Sequence, residues 1–283
     1  MSNAKVISTE VDGNVGVIRL IDEEHRNALS NQMRNALVQT FAEMERNPDV
    51  RAVYLTAIGR AFCGGGDFRM MEAESDAWSA HQRFRRSGRL MTDLIRFPKP
   101  VVVGVNGAAV GGGIGLALIG DVVFAAESSR FIAGFLRLGL LPDIATMYTL
   151  PRLVGLSRAR SFVLGGETWN AEQAREAGLV GYVVADDELD TIGLARAHEM
   201  ANGPIEAMGL IKTLMGRSFE SSLEEMLTYE DLGQTLAYST HAMREGLSAV
   251  KDHRDADFVG ATEREAAQKA ARARRLANQG DLL

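Results

Sequence analysis

The sequence predicts an α/β protein, and two observations support that prediction. Strand patterns recur along the first half as short apolar runs rich in β-branched residues, at 15–20, 50–57, 101–105 and 122–126. Amphipathic helix patterns fall between these runs, at about 30–46, 80–96 and 113–120. Alternation of this kind is typical of parallel strands joined by right-handed helical crossovers.

These elements also carry local signals of their own. The first strand follows the turn signal Asp12-Gly13, and the run at 101–105 is apolar throughout, which is typical of a strand buried on both faces. Ser30 can cap the first helix, and Asn47-Pro48 ends it. Between them lies an apolar stripe with helical spacing: Met33, Ala36, Leu37, Thr40, Phe41 and Met44.

After about residue 145 the pattern becomes mostly helical. The elements predicted there are helices at 143–152, 157–164, 170–177 and 186–202 and a short strand at 179–184. From Pro204 onward the apolar spacing is helical, so we divide the chain into a core at 1–203 and a helical segment at 204–283. The polar, irregular stretch from Met70 to Arg89 is interpreted as a mobile loop or lid.

Composition and charge exclude several classes of protein. Apolar residues make up 46% and charged residues 24% of the 283 residues, as in soluble globular proteins, and no apolar run is long enough to cross a membrane. The net charge of −6 disfavours a nucleic-acid partner. The single cysteine, Cys63, rules out an intrachain disulfide and disfavours a thiolate metal site. Residues 1–10 lack a signal-peptide pattern, so we expect a cytoplasmic protein without a metal or a membrane partner.

Glycine is the most informative residue type, because many of the 29 glycines fall in two clusters. Ala61-Phe-Cys-Gly-Gly-Gly-Asp67 follows the second strand, and Asn106-Gly-Ala-Ala-Val-Gly-Gly-Gly-Ile-Gly115 follows the third and leads into a helix. Free backbone N–H groups converge where a strand runs through glycines into a helix. Two such loops on neighbouring strands could direct one N–H each to a single oxygen, which is the arrangement of an oxyanion hole.

Other glycine motifs fit these clusters less well. The second cluster lacks the third glycine of a G-x-G-x-x-G dinucleotide motif, and neither cluster has the lysine of a P-loop. Gly155-Leu-Ser-Arg-Ala159 departs from the G-x-S-x-G nucleophile elbow at its last position. The simplest alternative is that the glycines only form tight turns.

Five segments carry a family resemblance that covers nearly the whole chain. They are His25-Arg-Asn-Ala-Leu29, Ala61–Asp67, Lys99–Gly113, Phe131–Gly155, and Glu245–Val250 followed by Phe258. Taken in this order, they resemble the crotonase, or enoyl-CoA hydratase/isomerase, superfamily. The resemblance implies a crotonase-like ββα-spiral core with a helical C-terminal trimerisation segment. It also implies an acyl-CoA substrate, no cofactor beyond the coenzyme A thioester of that substrate, and a homotrimer or a homohexamer built as a dimer of trimers.

The resemblance also assigns roles to individual residues. Gly64 and Gly112 fall where the family has its two oxyanion N–H donors. The positions that fall in its CoA-binding neighbourhood are Arg26, Ala28, Gly64, Gly66, Asp67, Phe68 and Gly112. Removal of a proton beside a thioester carbonyl gives an enolate whose charge develops on the oxygen, and two preorganised N–H groups stabilise that charge.

The chain departs from the hydratases of the family at both of their catalytic glutamates. One position is Gly115 and the other lies in Gly134-Phe135, so water addition lacks its acid and its base. The carboxylate that remains nearby is Asp143, at a position where isomerase branches of the family carry their acid/base. Its apolar neighbours would raise its pKa, whereas a helix starting there would lower it. We therefore predict an enoyl-CoA double-bond isomerase in which Asp143 is the base.

Three alternatives stay open from the sequence. Asp143 could simply cap the helix that follows it. Another residue could hold a water, giving a hydratase-like or hydrolytic enzyme, and Asp143-Ile-Ala-Thr146 resembles a dehalogenating branch of the family, although Phe135 lies near that branch's tryptophan position. The chain could also be a catalytically weak acyl-CoA-binding member of the family.

Overall fold

A computed structural model describes residues 5–73 and 76–280. The chain divides into two compact units, Met1–Ala201 and Asn202–Leu283. All strands of the described chain lie in the first unit, and the described part of the second is built from helices.

The elements of the first unit are numbered in chain order. The strands are β1 Ile7–Asp12, β2 Val15–Leu20, β3 Ala52–Ala57, β4 Ala61–Cys63, β5 Val101–Val105, β6 Ala108–Val110, β7 Val122–Ala126, β8 Arg130–Ile132, β9 Thr168–Asn170 and β10 Tyr182–Val184. The helices are α1 Asn31–Arg46, α2 Phe68–Ala73, α3 Ala77–Ile95, α4 Gly112–Ala117, α5 Thr146–Val154, α6 Leu156–Leu164, α7 Ala171–Glu176 and α8 Leu189–Ala201. Short 3₁₀ turns lie at Glu23–His25 and Gly134–Leu138.

The longer strands form one sheet in the order β1-β2-β3-β5-β7-β10. β1 pairs antiparallel with β2, and every later neighbouring pair is parallel. All residues of β3 and β5 are buried, which is typical of parallel strands covered on both faces. One face contributes Leu55 and Val103 to the larger apolar core, and the other packs Tyr54 against Leu189 of α8.

A second, smaller sheet has the order β4-β6-β8-β9. Its first three strands follow β3, β5 and β7 closely along the chain, so a long strand, a short strand and a helix recur in sequence. This recurrence confirms the ββα-spiral core that the resemblance implies. β4 pairs parallel with β6 through Ala61 with Ala108 and Cys63 with Ala109. The pairing brings the ends of these two strands, and with them both glycine clusters, side by side.

The second unit contains α9 Ile205–Met215, α10 Leu223–Tyr238, α11 His241–Lys251 and α12 Phe258–Gly280. A capping box begins α10, because the Ser222 hydroxyl accepts from the Glu225 N–H while the Glu225 carboxylate accepts from the Ser222 N–H. The oligomerisation role predicted for residues 204–283 stays a prediction. Among the described residues, no helix has the length and apolar character that a membrane span requires.

Most of the predicted long elements are confirmed, with ends that differ by a few residues. The Ser30 hydroxyl accepts from the Met33 N–H at 3.1 Å and caps α1, as its sequence position predicts. β1 and the three-residue strands β4, β6, β8 and β9 are absent from the sequence prediction. β1 is largely exposed, and three residues are too few to show a hydrophobic period.

The interpretation of residues 70–89 as a mobile loop is wrong. The described part of this stretch lies mainly in α2 and α3, and the Asp76 side chain caps α3 by accepting from two N–H groups of its first turn. The buried face of α3 begins with the polar residues Arg83 and Ser87 and becomes apolar only at Leu90. No apolar stripe therefore marks the first half of this helix in the sequence.

Candidate active site

The two glycine clusters meet where β4 and β6 end. An ideal Cβ on Gly65 would lie 2.5 Å from the carbonyl oxygen of Val110 and 3.5 Å from the nitrogen of Gly112, so the two loops touch through their backbones. Gly65 also has a φ of +84°, a conformation that favours glycine. The Leu29 N–H donates to the carbonyl oxygen of Gly65 at 2.7 Å and fixes the loop from another side.

The Gly112 N–H lies at the start of α4. The first N–H groups of a helix have no carbonyl one turn earlier to receive them, so they are available to other acceptors. Within the described chain, Gly112 N–H donates to no backbone oxygen. This geometry is compatible with the donor role predicted for Gly112, which stays a prediction.

The donor role predicted for Gly64 is wrong. Its N–H donates to the carbonyl oxygen of Arg26 at 2.8 Å, so this hydrogen already has an acceptor inside the fold. Gly66 differs, because its N–H donates to no backbone acceptor among the described residues, and it lines the same cavity as Gly112. The Gly65 N–H donates to the Cys63 sulfur, so of the three consecutive glycines Gly66 is the better counterpart to Gly112.

A cavity with a volume of about 580 Å³ opens beside these loops. Its wall is mostly apolar: Phe68, Met71, Phe84, Val110, Ile132, Phe135, Leu138, Leu140, Leu141 and Pro142. Arg26 and Arg137 contribute positive charge, and Asp143 is the one carboxylate in the described lining. Such a cavity suits a small molecule with a large apolar part that is held by a few polar groups.

Asp143 lies directly against the start of α4. An ideal Cβ on Gly112 would be 3.1 Å from Asp143 Oδ1 and 2.8 Å from Cγ1 of Ile144. Asp143 begins a tight turn in which the Thr146 N–H donates to the Asp143 carbonyl oxygen at 2.9 Å. α5 begins at Thr146 without a side-chain cap, so the alternative that Asp143 serves only as a helix cap is not supported.

Burial raises the pKa of Asp143 above the ordinary value for aspartate, while the positive charges of Arg34 and Arg83 act in the opposite direction. Both arginine side chains are buried, each being only 5% exposed. A carboxyl group with a raised pKa is a stronger base than an exposed one, which suits proton abstraction next to a carbonyl.

Arg34 and Arg83 are charged neighbours of Asp143 that sequence reasoning misses. Arg34 follows Met33 among the buried residues of α1, although arginine is a residue type that is usually exposed. Arg83 belongs to a run of arginines whose members Arg85 and Arg86 are exposed. The signal that could have indicated Arg83 is its spacing from Leu90, which places both on one helix face.

The other predicted CoA-binding residues do not all reach the cavity. Arg26 and Phe68 line it, whereas Ala28 and Asp67 are buried outside its described lining. The Asp67 carboxylate instead accepts from the Arg69 guanidinium, Oδ2 to Nη2 being 2.7 Å, and this bond lowers the pKa of Asp67. These contacts make Asp67 part of the support for α2.

Cys63 ends β4 just before the first glycine loop and is completely buried. Burial raises the pKa of its thiol to about 12, so the group is protonated at neutral pH. It has no place in the lining of the described cavity.

Comparisons with known proteins agree with the family resemblance found in the sequence. The family model described as enoyl-CoA hydratase/isomerase matches residues 10–261. The 1,2-epoxyphenylacetyl-CoA isomerase of Escherichia coli is 34% identical over 90% of this chain and 98% of that protein. A protein named probable enoyl-CoA hydratase in Rhodobacter capsulatus is 35% identical over 90% of this chain and 98% of its own. The crystal structure of an enoyl-CoA hydratase/isomerase from Cupriavidus metallidurans superposes with a TM-score of 0.86 at 28% identity, covering 91% of this chain and 97% of that one.

The fold and the site define an α/β spiral protein with an apolar cavity beside two glycine loops. The chain belongs to the enoyl-CoA hydratase/isomerase family, whose model matches most of its length. As a member of that family it is an enzyme of the crotonase fold that acts on acyl-CoA substrates.

The opposite pKa shifts of Asp143 and Asp67 predict opposite effects of neutral substitutions on stability. The pKa of Asp143 is raised in the folded state, so its ionisation destabilises the fold as pH rises through that pKa. Asp143→Asn should therefore raise Tm at pH 7, and the gain should shrink as pH falls toward about 4, near the ordinary aspartate pKa.

Asp67→Asn is the matched control. The pKa of Asp67 is lowered by Arg69, so its charge stabilises the fold above the ordinary pKa and this variant should lower Tm at pH 7. Thermal unfolding of both variants between pH 4 and pH 8 measures the two signs. An Asp143→Asn protein that is less stable than the parent at pH 7 would contradict the net effect of burial.

Proposed function

We propose that the protein is an enoyl-CoA double-bond isomerase in which Asp143 moves the proton. The observation that supports this most directly is the Asp143 carboxylate, which lies against Gly112 in a mostly apolar wall and is the one carboxylate of the described lining. Gly66 and Gly112 would each donate an N–H to the thioester oxygen of the substrate. No cofactor beyond the coenzyme A thioester is needed for this reaction.

Isomerisation of the double bond needs only one acid/base group, because the proton that is removed is also the proton that is returned. Asp143 takes a proton from the carbon between the thioester and the double bond of a 3-enoyl-CoA, which leaves a dienolate with its charge on the thioester oxygen. The protonated Asp143 then returns the proton two carbons further along the chain, which gives the 2-enoyl-CoA. The two N–H groups stabilise the anion between these steps, and one such donor is worth about 3–4 kcal/mol.

Hydration is less well supported by the residues that line the cavity. Syn addition of water needs one group to activate the water and a second to deliver a proton. Gly115 has no side chain and Phe135, the second residue of the Gly134-Phe135 pair, has no ionisable group, so the described lining offers Asp143 as its carboxylate. The Escherichia coli relative is named an isomerase, not a hydratase.

We also propose that the protein assembles as a homotrimer or homohexamer. Large apolar side chains on α10 are exposed in the single chain, among them Leu223, Leu227, Leu232 and Leu236. Exposed apolar side chains on this scale are typical of surfaces that another protein covers. The cytoplasmic location expected from the sequence stays a prediction.

Replacement of Asp143 tests the base directly. Asp143→Asn removes the proton acceptor at nearly constant volume, so deuterium uptake from D2O into trans-3-hexenoyl-CoA should fall by roughly 100-fold or more. Binding of the same acyl-CoA, measured by calorimetry, should be retained. Asp93→Asn on the exposed face of α3 is the control, and unchanged exchange in Asp143→Asn removes Asp143 from the mechanism.

Replacement of Gly66 tests the second donor. Gly66→Pro deletes the N–H, and the expected loss in kcat is roughly 100- to 1000-fold. Gly66→Ala keeps the N–H and meets only the flexible end of Met71, so it should retain most of the activity once that side chain moves. Equal activity in the two variants would show that the Gly66 N–H contributes nothing.

The rate of hydration separates the proposed activity from its nearest alternative. With one carboxylate available, hydration of crotonyl-CoA should be at least about 100-fold slower than isomerisation of trans-3-hexenoyl-CoA. Absorbance of the conjugated thioester follows both reactions. Fast hydration would favour a hydratase with its water held by another residue, and acyl-CoA binding without either reaction would favour the binding-only alternative.

A further inference from the structure

We propose that Gly115 is a positioning residue for Asp143, because the lack of a side chain at 115 admits the strained turn that holds the carboxylate against Gly112. This inference rests on the proposed function of Asp143 as the base. In the sequence, Gly115 stands out only because it is not a glutamate.

The turn after Asp143 has an unfavourable backbone conformation. Ile144 and Ala145 have φ values of +50° and +54°, in the left-handed region. This region is especially costly for a β-branched residue such as isoleucine. Such a conformation persists only where its surroundings determine it, and here Ile144 and Thr146 are both buried.

Gly115 provides the space that this turn requires. A Cβ on Gly115 would overlap the carbonyl oxygen of Ile144 and lie 2.8 Å from Oγ1 of Thr146. Gly115 lies inside α4 with no positive φ, so its backbone conformation is open to any residue. Space, and not backbone freedom, is therefore what glycine contributes at this position.

Gly112 and Gly115 act on the same turn from the same side. They are three residues apart in α4, so they share one face of the helix. A Cβ at 112 would meet the Asp143 carboxylate and the Ile144 side chain, and a Cβ at 115 would meet the Ile144 carbonyl. Together they form a flat surface on which the turn rests, and this contact determines where the carboxylate lies.

A side chain at 115 would push the Ile144 peptide away from α4 and carry Asp143 with it. The Gly112 N–H belongs to α4 and would stay in place. The base and the oxyanion donor would then lose their relative geometry, although the rest of the cavity that binds the acyl-CoA would stay in place. We therefore expect a loss in kcat with little change in KM.

The test compares two helical glycines. Gly115→Ala should lower kcat for trans-3-hexenoyl-CoA by about 100-fold, the loss typical of a displaced catalytic group, with KM changed by less than about 2-fold. Gly88→Ala in α3 is the matched control, because a Cβ there meets nothing within 4 Å, and it should behave like the parent enzyme.

The pH dependence gives a readout that a general loss of stability would not change. Burial raises the pKa of Asp143, so a carboxylate displaced toward solvent should titrate at lower pH. The acidic limb of the kcat profile in Gly115→Ala should therefore move to lower pH. Parent-like kcat and an unmoved limb would overturn the inference.

Ala145→Pro tests directly whether the turn positions Asp143, and it provides the test if Gly115→Ala does not fold. Proline fixes φ near −65° and cannot adopt the observed +54°, and the Ala145 N–H donates to no described backbone acceptor. This variant should show the same loss in kcat, and parent-like kcat would contradict the role of the turn. Asp143→Asn is assayed in parallel. If this variant stays active, the proposed function fails. If it is inactive while Gly115→Ala and Ala145→Pro resemble the parent, only the inference about Gly115 fails.

Discussion

The parallel pairing of β4 with β6 is the constraint on which the site depends. These strands have three residues each, and their pairing sets the glycine loops that follow them in direct backbone contact. α4 starts from the second loop, and the Asp143 turn packs on α4. Each of these contacts is made by main-chain atoms or by side chains fixed on buried backbone. The Gly66 and Gly112 N–H groups and the Asp143 carboxylate are therefore held in place before any ligand arrives, which is the condition that the roles proposed for them require.

The electrostatics of the site combine two opposing effects on one carboxylate. Burial among apolar residues disfavours the charged form of Asp143, and the nearby buried Arg34 and Arg83 favour it. Burial is the larger effect, so the net result is a raised pKa. The two arginines limit the rise in the pKa of Asp143, and the proposed role needs a carboxyl group that can still lose its proton. The two effects together suit a group that must both take and return a proton.

The sequence predicts the long strands, the first helix with its Ser30 cap and the closeness of the two glycine clusters, because these depend on local periodicity and turn chemistry. It does not distinguish Gly64 from Gly66, since that difference arises from a hydrogen bond to the distant carbonyl of Arg26. The buried arginines near Asp143 are equally invisible, because nothing in their local sequence marks them as interior. Short paired strands such as β4 and β6 exist through their partners, so no local pattern indicates them.

Cys63 has a consequence for the kind of molecule that the cavity can hold. Acyl thioesters exchange readily with thiolates, so an ionised cysteine close to the bound acyl group would capture it as an enzyme-linked thioester and release free coenzyme A. The high pKa and complete burial of Cys63 prevent this transfer, since a neutral thiol with no access to the ligand is a poor nucleophile. Cys63 therefore acts as a small packing residue at the end of β4 and leaves acyl thioesters in the neighbouring cavity intact.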